Sequence, residues 1–170
     1  MQERKGVITF KGGPMTLIGP EIKVGDKAPN FKVLTNGLEE VSLDNYKGKT
    51  LILSVAPSLD TGVCAIQTKR FNDEASKLPA NVEILTISAD LPFAQKRFCG
   101  AENIKIASLS DHREMSFGDA YGTHIKELRL EARSLFVVGK DGKVKHVEYV
   151  KEVTTEPNYD KALAAAKADA

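Results

Sequence analysis

Thr50-Leu51-Ile52-Leu53-Ser54-Val55-Ala56 is an almost unbroken apolar run of strand length. A strand without polar alternation must be covered on both faces, so a chain that contains it is committed to a layered α/β structure rather than a one-sided sheet. Pro57 ends the run, and the turn that follows, Ser58-Leu59-Asp60-Thr61-Gly62-Val63, delivers Cys64 into the first turn of a helix. Cys64, Phe71, Ala75 and Leu78 recur at helical spacing, which places the cysteine on the inward face. Asp60 and Thr61 are both candidate caps. With Thr61 in that role, its hydroxyl lies three positions before Cys64, close to the free backbone N–H groups and to the sulfur. Val82 to Ser88 supplies a second buried strand, and strand-helix-strand spacing implies a right-handed parallel crossover.

The rest of the chain reads as layers around that unit. Val7 to Phe10 and Met15 to Ile18 flank Lys11-Gly12-Gly13-Pro14, an N-terminal β-hairpin with a Gly-rich turn. Asp90 is positioned to cap a helix with Pro92 in its first turn, and Cys99 falls near the far end of that helix. Ser134 to Val138, Gly139-Lys140-Asp141-Gly142 and Val144 to Val150 form the strongest hairpin signal, expected to close one side of the sheet. After Pro157 and Asn158, Tyr159 to Lys167 is an alanine-rich helix with Leu163 and Ala166 inward. There are no repeats, linkers or low-complexity tracts.

With 170 residues the chain suits a single domain spanning 1–170, of which about 1–19 form the hairpin extension. A net charge of +1, from 24 basic and 23 acidic residues, leaves no electrostatic footprint for nucleic acid or an anionic membrane. The charged opening Met1 to Gly6 and the interrupted apolar stretch after it give no secretory core, and no apolar run has membrane-spanning length. A cytoplasmic protein is the expectation. Its two cysteines, 35 positions apart, exclude a Cys-x-x-Cys arrangement and read as a redox pair in a reducing compartment. His112, His124 and His146 are not paired at ligand intervals, so no metal is expected. Each is read as a surface or loop residue, and no acidic or amide orienter can be assigned to His124.

A free cysteine is most often a small buried apolar residue without chemistry. The strand-turn-helix placement separates Cys64 from that default, because unpartnered N–H groups at a helix N-terminus stabilise an anion there. Pro57-x-x-x-Thr61-x-x-Cys64 after a strand resembles the peroxidatic motif of the peroxiredoxins. Ser54 to Leu78, the run Ser88-Ala89-Asp90-Leu91-Pro92-Phe93-Ala94-Gln95-Lys96-Arg97-Phe98-Cys99, Ala132-Arg133-Ser134 and Glu152 to Tyr159 are similar to the atypical two-cysteine subgroup found in bacteria. The likeness runs from about Gly6 to the C-terminus.

That resemblance implies a thioredoxin-like α/β sandwich with a central mixed sheet, flanking helices and the added N-terminal hairpin. It implies a thiol-dependent peroxidase acting on hydrogen peroxide and organic hydroperoxides. Cys64 would attack and become a sulfenic acid, Thr61 would hydrogen-bond near the sulfur and the peroxide, and Arg133 would supply fixed guanidinium donors. Pro57 would bend the loop over the sulfur. Cys99, the one other cysteine, would resolve the sulfenic acid as an intramolecular disulfide. Thioredoxin is the implied reductant, a homodimer the implied assembly, and no bound cofactor is required. Two alternatives share many of these residues: a thioredoxin-fold redox sensor without rapid turnover, and a disulfide-exchanging oxidoreductase, against which the missing Cys-x-x-Cys argues. Without the resemblance, Arg133 at the head of an apolar strand would read as a solvated strand-end charge, and Lys69 and Arg70 as a solvated helix face.

Overall fold

The computed structural model describes residues 1–170. The apolar run forms β5 (Thr50–Val55), every residue of it buried. It pairs in parallel with β6 (Val82–Ser88), which pairs in parallel with β7 (Ala107–Ser110). On its other side β5 lies antiparallel to β10 (Ser134–Val138), which forms the expected hairpin with β11 (Val144–Tyr149) at the sheet edge. With β3 (Lys32–Leu34) and β4 (Glu40–Ser42) the central sheet has seven strands in the order β11-β10-β5-β6-β7-β3-β4. It is mixed, as expected.

Alternation along β5 sorts the core into two layers. Leu51, Leu53 and Val55 pack with Leu85, Ile87, Phe136 and the stacked Phe117 and Tyr121 of α3 (Ser116–Tyr121). Ile52 faces the opposite way, against Phe71 of α1 (Gly62–Ala75) and Ala162, Leu163 and Ala166 of α4 (Tyr159–Asp169). Leu78, expected on α1, lies beyond its end and is partly buried against this second layer. Asn158 caps α4 by accepting from Lys161 N.

The fourth flanking helix, α2 (Pro92–Ala101), rests on a different kind of surface. Leu85, Ile87 and Leu109 point into the first layer, so Thr86, Ser88, Ser108 and Ser110 face α2. No residue of α2 enters either core layer, or the smaller apolar cluster of Ile8, Leu17, Ile125, Ala132 and Val153. Its attachment is polar: Gln95 Nε2 donates to Ser88 Oγ (3.0 Å) and Leu109 O (2.9 Å).

The N-terminal hairpin, β1 (Glu3–Phe10) and β2 (Gly13–Ile18), joins β8 (His124–Ile125) and β9 (Leu130–Glu131) in a separate four-stranded sheet. Two readings of the sequence need correction here. His124 and His146 sit in strands and are half-buried rather than in loops or on the surface, and His124 does have an acidic partner, its Nδ1 lying 2.8 Å from Asp119. Asp90 does not cap α2: Leu91 occupies the cap position, and the Asp90 side chain turns elsewhere. No helix is long and apolar enough to cross a membrane.

Candidate active site

Strand β5 ends by handing its last hydrogen bond to β6, from Ala56 N to Ile87 O (3.0 Å). The chain then turns through the buried Pro57. Ser58 organises the turn. Its carbonyl accepts from Thr61 N (3.1 Å) and from Thr61 Oγ1 (3.0 Å), and its hydroxyl accepts from Asp60 N (3.2 Å). Thr61 is the helix cap by position and backbone angles, but its exposed side chain bonds back to Ser58 rather than to the N–H groups of α1 or to the sulfur. The cap therefore holds the turn instead of the helix.

Cys64, the third residue of α1, is fully buried, and its sulfur accepts from Arg133 Nη2 at 3.2 Å. Arg133 is 2% exposed, so it is no solvated strand-end charge. Each side of its guanidinium is fixed. Nε donates to Val153 O (2.7 Å) and Nη1 to Gln67 Oε1 (2.8 Å). Gln67 is held in turn by donating to Ser54 Oγ (2.8 Å) and Val55 O (3.3 Å). Val153 is fixed by the N-terminal hairpin, donating its N–H to Thr9 O (2.9 Å). Beside it, the Glu152 carboxylate collects Thr9 Oγ1, Gly12 N and Thr154 N and Oγ1, donors that hold its acidity at about 2. Burial and the bond to Glu156 push the phenol of the neighbouring Tyr159 up, against the pull of Arg133 and Arg70.

Gln67 is the functional residue that sequence reasoning missed. Its signal was a polar side chain on the inward face of α1, one turn after Cys64, where an apolar residue belongs. Gln67→Met keeps the length of the side chain but strips Arg133 Nη1 of its acceptor. Cys64 oxidation by hydroperoxide should slow about tenfold and stability should drop by about 1–3 kcal/mol. Stopped-flow oxidation and urea unfolding check both; a variant within twofold in rate would show that Arg133 needs no such support.

Both cysteines are free, and Cys99 stands apart from the other candidates. It lies half-buried on α2 with its sulfur 3.1 Å from Ser108 Oγ. Ser54, Thr86 and Ser108 form one row across the sheet. The anchor of Cys99 is therefore two strand spacings, roughly 9–10 Å, from the Ser54 on which Gln67 rests. Pro57, Thr61, Cys64 and Arg133 gather at the end of β5, whereas Cys99 does not join them. Lys69 and Arg70 occupy the outer part of α1, Lys69 pairing with Glu102 (3.0 Å) and Arg70 with Asp160 (3.1 Å). No group of three His, Cys, Asp or Glu side chains is arranged to hold a metal ion. A cleft of about 380 Å³ opens at the other end of β5, between Lys27, Tyr46, Lys49 and Lys140, away from the sulfur.

Arg133 carries a charge that it cannot lose, and none of its three partners is a carboxylate. A buried cation without a compensating anion is costly. The one partner able to become an anion is the Cys64 sulfur. The site is thus built to favour negative charge at the sulfur, with the two guanidinium N–H groups that make no other bond and the N-terminus of α1 nearby.

Comparison with known proteins points the same way. A family profile described as Redoxin matches residues 23–163. The chain is 64% identical over 162 residues to the thiol peroxidase of Bacillus subtilis (strain 168), covering 95% of this chain and 96% of that protein. It is 55% identical to the thiol peroxidase of Staphylococcus aureus (strain MRSA252), covering 94% and 97%. Among solved structures, a peroxiredoxin-like protein from Aquifex aeolicus superposes with a TM-score of 0.91 at 40% identity, covering 97% of this chain and 98% of that one. A thiol peroxidase from Chromobacterium violaceum, at 18% identity and a TM-score of 0.79 over 91% of each chain, shares the fold.

Proposed function

Since the chain belongs to the redoxin family and is a thiol-dependent peroxidase, we propose that Cys64 reduces the hydroperoxide, that Thr61 and Arg133 assist it, and that Cys99 resolves the product. The observation that carries this assignment is the buried Arg133, whose only hydrogen-bonded partner able to become an anion is the Cys64 sulfur. The Cys64 thiolate attacks one peroxide oxygen; the S–O bond forms, the O–O bond breaks, and the departing hydroxide or alkoxide takes up a proton to leave as water or alcohol. Arg133 spreads that charge through fixed donors. Thr61 gives its hydroxyl hydrogen to Ser58 O, which leaves the hydroxyl oxygen free to accept from the peroxide three residues before Cys64. Pro57 shapes the turn and takes no part in the reaction.

The Cys64 sulfenic acid is then attacked by the Cys99 thiolate. The S–S bond forms, the S–O bond breaks, and hydroxide leaves and is protonated. A bridge requires Cα atoms within about 7 Å, and the two sulfurs rest on different partners, Cys64 on Arg133 and Cys99 on Ser108, so α2, the start of α1, or both are expected to unwind. Support comes from the polar seat of α2 and its absence from the hydrophobic clusters. The bridge contributes about 4 kcal/mol on the chain-entropy scale, enough to offset a lost helical turn. Faster amide exchange in residues 92–101 or 62–66 after oxidation is the expected result; unchanged exchange in both would refute the unwinding.

A dithiol protein of the thioredoxin type then reopens the bridge. The enzyme works as one domain, as a homodimer, in the cytoplasm, where free cysteines stay reduced. Intact mass and thiol count after one equivalent of hydrogen peroxide test the assignment. Wild type should lose both thiols to a bridge that thioredoxin reopens, and Cys99→Ser should stop at a sulfenic acid on Cys64. A Cys64 that stays a thiol would sink the assignment, and a bridge that forms but is not turned over would point to a redox sensor.

A further inference from the structure

We propose that Asp90 is a positioning residue for the peroxide step and, by the same hydrogen bonds, a restraint on the disulfide step; the proposal rests on the peroxidase reading above. Asp90 sits one residue before Leu91, the cap of α2, and its side chain does not cap that helix. Its carboxylate reaches back to the turn before Cys64. One oxygen accepts from Ser58 Oγ (2.7 Å); the other accepts from Leu59 N (2.7 Å) and Ser88 Oγ (2.7 Å). No Lys, Arg or His lies within ion-pairing distance, so three uncharged donors from two separate segments hold this anion.

The contact matters because Ser58 is the hub of the turn. Its carbonyl receives both the N–H and the hydroxyl of Thr61. Asp90 fixes the Ser58 side chain and the next N–H, and thereby sets where the Thr61 hydroxyl sits relative to Cys64. On its own side Asp90 is just as firmly tied: its carbonyl accepts from Ser110 Oγ, and its N–H donates to Ser88 Oγ (3.3 Å), which also receives Gln95 of α2. One carboxylate therefore joins the turn that precedes Cys64 to the leader of the helix that carries Cys99. These are the two segments that must rearrange before the sulfurs can meet. Asp90 favours the first chemical step by holding the turn and opposes the second by holding the turn to α2.

Asp90→Asn keeps the size but replaces one acceptor oxygen with a donor that meets the Leu59 N–H or a serine hydroxyl. Oxidation of Cys64 should slow about tenfold while conversion of sulfenic acid to disulfide speeds up about threefold or more. Opposite changes in successive steps are what a merely structural defect would not produce. Rapid quench with intact-mass detection, after one equivalent of hydrogen peroxide, separates the steps; the Cys99→Ser background isolates the first. Ser58→Ala removes one of the three bonds and should shift both rates in the same senses by less. If Asp90→Asn fails to fold by circular dichroism, Ser58→Ala decides alone. Both rates falling together, or neither changing, would overturn the role of Asp90. A wild-type Cys64 that never oxidises would remove the peroxidase reading and the proposal with it, an outcome visible before any variant is compared.

Discussion

Arg133→Lys is expected to slow hydroperoxide oxidation of Cys64 by about 10²–10³-fold, the usual cost of removing one fixed donor from developing negative charge. The charge is conserved, so the effect isolates geometry. Arg133 satisfies three groups at once: Val153 O through Nε, Gln67 Oε1 through Nη1 and the Cys64 sulfur through Nη2. A lysine ammonium is a single centre on a thin stem, and it cannot reach a carbonyl, an amide oxygen and a sulfur set around a planar fork. Each buried acceptor left bare costs about 1–3 kcal/mol, so the unfolding midpoint should fall as well. Stopped-flow oxidation of the Cys99→Ser and Cys99→Ser/Arg133→Lys proteins gives the rate directly. A loss of threefold or less would mean that positive charge near the sulfur suffices and that the fork geometry is incidental.

Glu131→Gln should remove a loss of stability that the wild type suffers as pH rises. Glu131 is fully buried in β9; one carboxylate oxygen accepts from Thr123 Oγ1 and the other has no donor. It faces Asp111, whose own oxygens accept from Phe117 N (2.9 Å) and Gly118 N (2.8 Å) at the start of α3. Space for the pair depends on Gly118, where a Cβ would sit 3.0 and 3.1 Å from the two Glu131 oxygens. Burial first, and Asp111 second, push the Glu131 carboxyl well above the usual carboxylate range. The folded protein therefore keeps a proton that the unfolded chain releases. Below the unfolded value both states are protonated and the stabilisation is whole; as pH climbs toward the raised folded value, unfolding sheds a proton and stability falls by about 1.4 kcal/mol per pH unit. Glutamine mimics the protonated acid and cannot lose a proton. The variant should gain on wild type in urea unfolding as pH rises above the usual carboxylate range, and parallel curves would show that Glu131 is ionised in the fold.

The elements that could be read in the sequence are those whose signal is local. β5, β6, α1, α4 and the β10-β11 hairpin carry long apolar periods or a clear turn, and tertiary packing kept them. β3, β4, β7, β8 and β9 are two to four residues long and exist because a distant strand offers them an edge, which no short window shows. The pairing of Cys64 with Arg133, 69 positions apart, came into the reading only through the family motif. Val153 contributes a carbonyl, which has no side-chain signature at all. Asp90 shows a local rule losing to tertiary structure: Asp-x-Pro is a sound cap signal, yet Ser58 Oγ and Leu59 N claimed the carboxylate. Thr61 failed as a side-chain cap for the same reason, since the Ser58 carbonyl was nearer at hand.

The strap between the N-terminal hairpin and Val153 has a consequence for how the enzyme is born. Thr9 N donates to Lys151 O (2.7 Å), and Val153 N returns a bond to Thr9 O, so Arg133 gets its Nε acceptor only when the first strand and the last loop have met. During synthesis Cys64 leaves the ribosome long before residue 153 does. Throughout that interval the nascent thiol lacks its anchored guanidinium, so a half-made chain should react with peroxide no faster than an ordinary cysteine. Full reactivity should therefore wait until the segment around Val153 has been made and has met the N-terminal hairpin.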